Sequence, residues 1–355
     1  MYLPDNVQEY LKFARDYGAS DLHLNTGSRP HWRINGHLSR IWDEAPRMDE
    51  SKMQACLDSL ITDKQREILT KDGHLDFSYS DQGGRYRASV VKHRKGYGLV
   101  FRIVADKVKS LAELGIECKP LIDLCHYQNG IILVTGSMGS GKSTTLAALV
   151  DYINQTRPEH ILTLEDPVEF IFESAKSQIN QREIPTHSES FARALRASLR
   201  EDPDVIMVGE MRDLETISLA LTAAETGHLV IATLHTANAI GTLDRIMDAF
   251  PSAQRDQIRV MLAESLRGIF CQQLVPRIDN ECMVAAHELL LNNMAVANCI
   301  REGKTFMLKG IMQIAKNEGM TLMDESLMHL RRSNLISEEE FKARLTDVAS
   351  YISES

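Results

Sequence analysis

Residues 131–150 read IILVTGSMGSGKSTTLAALV. The first five form a continuous apolar run of strand length, and the last five begin a helical stretch. Between them, Gly136-Ser137-Met138-Gly139-Ser140-Gly141-Lys142-Ser143-Thr144 satisfies G-x-x-x-x-G-K-S in the strand-then-helix setting that gives this motif its meaning. Gly136, Gly139 and Gly141 let the backbone N–H groups of the loop, those of Ser137, Ser140 and Thr144 among them, turn inward around a phosphate at the positive end of a helix. Lys142 is placed to neutralise the β- and γ-phosphates, and the Ser143 hydroxyl to take a Mg²⁺ position. The expected ligand is ATP with Mg²⁺.

Working outward, ILTL (161–164), VIMV (205–208) and VIATL (230–234) are further apolar runs of strand length separated by helical stretches. Such runs fit central parallel strands buried on both faces, hence a doubly wound α/β domain. Ligands in such sheets lie beyond the carboxyl ends of the strands. There ILTL runs into Glu165-Asp166-Pro167-Val168-Glu169, VIMV into Gly209-Glu210, and VIATL into His235. Hydrolysis needs carboxylates to hold metal and orient water. Glu210 is the first choice for the water and Glu165 the second. Gly209 stands where an aspartate usually precedes the catalytic glutamate, so Mg²⁺ is expected on Ser143 and waters, with Glu165, Asp166 or Glu210 assisting. His235 could hydrogen-bond the γ-phosphate or Glu210, or be an ordinary satisfied histidine; the ordinary reading weighs more for His228. A zinc site needs more ligands than this neighbourhood offers.

Upstream, Val7, Tyr10, Leu11 and Ala14 fall on one helical face, Leu22 and Leu24 alternate as in a strand, and HWRI and HLSRI flank an Asn35-Gly36 turn. FSYS and RYRASVV, separated by Gly83 and Gly84, form a second hairpin signal. Residues 1–105 are therefore expected to form a small α+β domain with an antiparallel sheet, 106–120 a linker, and 121–355 the α/β domain. Past about 265 the chain reads as mostly helical, with Ser337 and Glu340 in capping-box positions and Met307, Met312, Met320, Met323 and Met328 as core packing. In the helix SESFARALRASLRE, Phe191, Leu195 and Leu199 share one face, and Arg193, Arg196 and Arg200 another, a solvated basic stripe or a contact for a neighbouring subunit's acids.

Of 355 residues, 25% are charged and 43% apolar, a globular balance that excludes disordered, collagenous and disulfide-scaffold classes. Lys and Arg total 40 against 49 Asp and Glu, and the net charge of −9 argues against a general nucleic-acid binder. The six cysteines form no C-x-x-C pair and read as buried, reduced thiols. No apolar run is long enough to span a bilayer, and MYLPDNVQEYLKFARDYG lacks the apolar segment of a signal peptide, so a cytoplasmic protein is expected.

These segments together resemble the type IV pilus retraction ATPases, the PilT/PilU branch of the type II/IV secretion ATPase superfamily. The resemblance rests on ASDLHL (19–24), GSMGSGKSTT (136–145), TLEDPVEF (163–170), LREDPDVIMVGEMRD (199–213), ETGHLVIATLHT (225–236), QQLVP (272–276) and GMTLMDESL (319–327). It implies a PAS-like N-terminal domain, a RecA-like ATPase domain and a homohexameric ring acting peripherally on the cytoplasmic face of the inner membrane. It also implies a pilus platform protein as partner, a second pilus motor as a further one, and no nucleic acid. By the same likeness TLEDPVE is an Asp box with Glu165 as catalytic or metal-associated acid, and GHLVIATLH a His box with His228 and His235. Arg87, Arg94 and Arg102 would be the N-terminal arginines that reach nucleotide phosphates. The family's A-I-R-N-L-I-R retraction signature appears here as AVANCIREGK (295–304), with Ala297 in place of the first arginine. That substitution leaves open an accessory, PilU-like motor. A regulatory ATP-binding ring and a RecA-type nucleic-acid motor stay open beside it.

Overall fold

The computed structural model describes residues 4, 6–34, 37–42, 45–104, 107–279 and 282–346. It divides into two compact units, Met1–Lys107 and Val108–Ser355.

The first unit contains α1 (Val7–Asp16), β1 (Asp21–Asn25), β2 (His31–Ile34), β3 (His37–Arg40), α2 (Glu50–Leu60), α3 (Asp63–Asp72), β4 (His74–Asp81), β5 (Gly84–His93) and β6 (Gly96–Ile103). Its sheet runs β3-β2-β1-β6-β5-β4, antiparallel throughout. Val7, Tyr10, Leu11 and Ala14 of α1 are buried with Leu22, Leu24, Tyr86, Ala88, Val90, Leu99 and Phe101, the inward positions of three central strands. The Asn35-Gly36 turn lies outside the described residues. Helices α2 and α3 go beyond what the sequence signals. Their short apolar faces give little periodicity, although Asp49 and Thr62 cap them by accepting the backbone N–H of Lys52 and Gln65.

The second unit continues with α4 (Lys119–Leu124), β7 (Gly130–Thr135), α5 (Lys142–Thr156), β8 (His160–Glu165), β9 (Gln178–Glu183), α6 (Phe191–Ser198), β10 (Val205–Val208), α7 (Leu214–Glu225), β11 (Leu229–Leu234), α8 (Ala239–Asp248) and α9 (Ser252–Ser265). After these come β12 (Leu266–Pro276), β13 (Met283–Leu291), α10 (Met294–Glu302), α11 (Leu308–Ile314), α12 (Met323–Arg332) and α13 (Glu338–Arg344). The sheet order is β13-β12-β7-β11-β10-β8-β9, parallel except for β13 against β12. Alternate residues of the central strands feed two cores. Ile131, Leu133, Ile206, Val208 and Val230 face one, and Ile132, Val134, Val205, Met207 and Ile231 the other. This is the doubly wound arrangement that continuous apolar strands require. Leu111, Ile116 and Cys118, in the stretch expected to act as a linker, are buried in the second of these cores.

One expectation is corrected. The chain past 265 opens with two long strands rather than helices, because β12 pairs with β7 on one side and β13 on the other. Tertiary pairing decides a segment whose periodicity is ambiguous. Helices follow from Met294, and Met312, Met320 and Met323 are buried, Met328 is partly buried, and Met307 is 47% exposed. Ser337 caps α13 by accepting from Glu340 N, while the Glu340 carboxylate engages Arg344. Five cysteines are buried and Cys282 is exposed. No helix among the described residues is long and apolar enough to cross a membrane.

Candidate active site

The strand β7 ends at Thr135, and the loop 136–141 delivers the chain to α5, whose N-cap, Gly141, has φ 84°. That left-handed conformation is open to glycine at little cost and aims the first amides of α5 at the loop. Lys142, the first residue of the helix, is buried; its Nζ donates to Gly136 O at 2.9 Å and Ser137 O at 2.8 Å and lies 3.3 Å from His235 Nδ1. Burial pushes the Lys142 ammonium below its ordinary range, opposed by the charges of Glu210 and Glu169. Ser143 and Thr144 follow, half-buried, in the first turn.

Beyond β10, three hydrogen bonds, two of them backbone to backbone, hold the next residues between the neighbouring strands. Gly209 N donates to Leu164 O at 2.8 Å, Met211 N donates to Thr233 O at 3.0 Å, and the Thr233 hydroxyl donates to Gly209 O. A Cβ at position 209 would stand 3.1 Å from Leu164 O and 3.4 Å from Glu165 Cα. The close approach of β8 thus accounts for glycine where an aspartate is usual. Glu210 projects from this clamp; its Oε1 lies 3.0 Å from His235 Nε2 and its Oε2 2.6 Å from an Arg212 nitrogen.

An ammonium can only donate, so His235 Nδ1 accepts from Lys142, and Nε2 carries the proton that reaches Glu210. The loop lysine, the imidazole after β11 and the carboxylate after β10 are therefore joined in one chain. Burial pushes the Glu210 carboxyl upward, but the hydrogen bond and charge of Arg212, with the hydrogen bond from His235, outweigh it, and the net shift is downward. Glu210 is an ionised acceptor at neutral pH, as a residue that orients water or takes its proton must be.

Glu165, at the end of β8, is placed differently. It is buried, accepts from the Thr163 hydroxyl at 2.6 Å and Gln181 Nε2 at 3.1 Å, and receives Glu169 N at 3.4 Å. Burial raises its carboxyl above the ordinary range. The side chain is thus committed to its own loop. His228 stands at the opposite end of β11 from His235, its Nδ1 3.0 Å from Ala223 O, and is not brought to the Lys142–Glu210 chain. Arg87, Arg94 and Arg102 belong to the first unit. Arg87 and Arg102 are cross-strand partners on the face of the sheet away from its core, Arg94 is exposed in the β5–β6 turn, and Arg102 pairs with Asp21 at 3.1 Å. On α6 and just beyond, Arg193 and Arg196 pair with Glu189 and Glu215 of the same chain, and Arg200 is exposed.

Four participants are not singled out by a reading of the sequence. Arg212, two residues past Glu210, could be found from GEMRD as the nearest cation. Glu169 touches Lys142 only through its charge. Thr145 and Gln272, which brace the loop from inside, carry no charge and give no spacing signal. Among the described residues no group of three or more His, Cys, Asp or Glu could cage a metal ion.

Comparison with known proteins shows the family and the fold. The family profile described as "Type II/IV secretion system protein" matches residues 2–350. A Pseudomonas aeruginosa protein named "Type IV pilus retractation ATPase PilT" is 44% identical over 340 residues, covering 96% of this chain and 98% of that one. A Neisseria gonorrhoeae "Twitching motility protein" is 46% identical over 318 residues, 89% of this chain and 84% of that one. The crystal structure titled "Crystal Structure of the Pilus Retraction Motor PilT and Bound ADP" superposes with a TM-score of 0.90 at 43% identity, covering 97% of this chain and 98% of that chain.

Proposed function

This chain belongs to the type II/IV secretion system protein family, and from that premise we propose that it is a ring-forming motor ATPase that couples ATP hydrolysis to retraction of type IV pili. The observation that carries the reading is the Lys142–His235–Glu210 chain across the carboxyl ends of β7, β11 and β10. The loop amides and Lys142 bind the β- and γ-phosphates, the ammonium exchanging Gly136 O and Ser137 O for phosphate oxygens. Ser143, with Glu165 the more remote candidate, would hold a Mg²⁺, and the ion would supply neutralisation of the phosphate charge. Glu210 orients the attacking water and accepts its proton, and His235 reports the state of the γ-phosphate to Glu210 through the proton on Nε2.

The ring is a homohexamer at the cytoplasmic face of the inner membrane, docking on a basic surface of a pilus platform protein that complements a chain of net charge −9. Arg87, Arg94 and Arg102 serve as phosphate partners, with Arg87 and Arg94 the more available because Arg102 already engages Asp21.

A second reading, an accessory motor working beside another pilus motor, is favoured by one observation. Ala297 occupies the place of the first arginine of the retraction signature, and it packs half-buried on α10 rather than presenting a charge. The test is complementation of a piliated strain that lacks its own retraction motor. Wild-type chain should restore twitching and Lys142→Ala should not. Restoration only when a second pilus motor is present would select the accessory reading. Restoration by Lys142→Ala would refute both.

A further inference from the structure

We propose that Gln272 is a positioning residue that sets the shape of the phosphate loop, an inference that rests on the ATP-binding reading of that loop. Gln272 lies on β12, one residue past the last pair that β12 makes with β7, and is 4% exposed. Both halves of its carboxamide are spent on the loop and its helix. Nε2 donates to Ser140 O at 2.8 Å, and Oε1 accepts from the Thr145 hydroxyl at 2.6 Å. The hydroxyl fixes which way the amide points, because it donates to the oxygen and leaves the NH₂ group for the loop carbonyl. The fit is close enough that a Cβ on Gly141 would stand 2.8 Å from Nε2.

Ser140 O belongs to the peptide whose N–H is that of Gly141, so the bond that holds the carbonyl inward also sets the direction in which that amide is presented. The loop amides are thereby aimed before a phosphate arrives, which is the condition for tight anion binding at a helix N-terminus. A buried carbonyl that loses its donor costs enough to weaken nucleotide binding by roughly ten- to hundredfold.

The decisive variant is Gln272→Glu. As a carboxylate it still accepts from Thr145 but cannot donate to Ser140 O; as a carboxylic acid it does both. Beside Gln272 and its partners in the strand pairing and the loop stand Lys142 at the start of α5, His287 and Glu288 on β13, and Cys271; Lys119 and Asp123 on α4, Asp151 on α5, and Asp244, Arg245 and Asp248 on α8 belong to the helices packed nearby. Burial pushes His287 down to about 4 and Cys271 far up, so neither titrates between about pH 5.5 and 8. A carboxylate at 272 also adds charge near Lys142 and the phosphates, so Gln272→Met, which removes the donor without adding a charge, is measured beside it and should weaken binding roughly ten- to hundredfold at both ends of the range.

The experiment measures the Kd of Mg²⁺ with a fluorescent ADP analogue across that range for full-length wild type and Gln272→Glu. The expected ratio is roughly ten- to hundredfold at pH 8 and shrinks severalfold at pH 5.5 as the variant regains a donor. Wild-type affinity in Gln272→Met, or a large Gln272→Glu ratio that does not change with pH, overturns the assignment. Thr145→Val and Thr145→Ser test the same link without touching β12. The first should weaken binding and the second restore it, and equal wild-type affinity in both refutes the link. If wild type itself binds no nucleotide, the ATP reading fails and this assignment fails with it; if wild type binds and the variants match it, the positioning role alone is wrong.

Discussion

Replacing Glu210 by Gln removes a charge and a proton acceptor while keeping the shape of the side chain, so its effects on turnover, binding and stability separate cleanly. General-base action is worth about 10² to 10⁴ in rate, or about 3–5 kcal/mol, and kcat should fall by that factor. Stability should hardly move. The ion pair lost is with Arg212, whose side chain is 65% exposed, and such pairs contribute about 0–1 kcal/mol. For a unit of this size that is at most about 4 °C in Tm. Nucleotide affinity should stay level or rise, because a negative charge beside Lys142 and the phosphates is gone. The assay is steady-state phosphate release alongside fluorescent-nucleotide binding on the same preparation. A kcat within about threefold of wild type, or a loss of turnover matched by loss of binding, would refute the role drawn from the Glu210–His235 geometry.

Four further outcomes follow. His235→Ala removes the link between Lys142 and Glu210 and should lower kcat/KM roughly ten- to hundredfold, the value of one charged hydrogen bond, with intact thermal melting. Glu165 has a carboxyl raised by burial, so folding favours its protonated form and its ionisation costs stability as pH rises. Glu165→Gln keeps the oxygen that Thr163 and Gln181 reach and should therefore melt higher than wild type at pH 8, with the difference vanishing near pH 4; a gain that grows on acidification would contradict the sign. Glu288, buried on β13, accepts Ala239 N at the start of α8 at 2.8 Å and is bonded by the Met323 backbone at the start of α12. Glu288→Ala strands two donors and should cost about 2–4 kcal/mol in urea unfolding, and a loss below about 1 kcal/mol would be inconsistent with that double cap. In native protein, a thiol reagent should modify Cys282 quickly, while Cys56 and Cys125, pushed by burial to about 11 and about 12, react only on unfolding.

Much of this is legible in sequence because each signal is local. A G-x-x-x-x-G-K-S stretch between a strand and a helix, and apolar runs ending in acids and a histidine, place the ends of β7, β8, β10 and β11 without any long-range information. What is illegible depends on pairing. Whether 266–276 is helix or strand is settled by β7 and β13, and β7 lies far away in sequence. His228 and His235 look like one motif, yet a strand of six residues separates them by about 20 Å and puts only His235 at the phosphate end. The Glu165 carboxylate reads as an active-site acid from its position, but Thr163 and Gln181 claim it, and Gln181 sits on β9, a strand too polar to announce itself. Arg212, Thr145 and Gln272 act through contacts that no periodicity records.

The most direct test is steady-state phosphate release from MgATP by size-fractionated protein, wild type beside Lys142→Ala. The predicted result is turnover that co-elutes with the ring and is lost in the variant. A wild-type ring that binds ATP but releases no phosphate, or a Lys142→Ala ring that turns over at the wild-type rate, would contradict the assignment of hydrolysis to this loop.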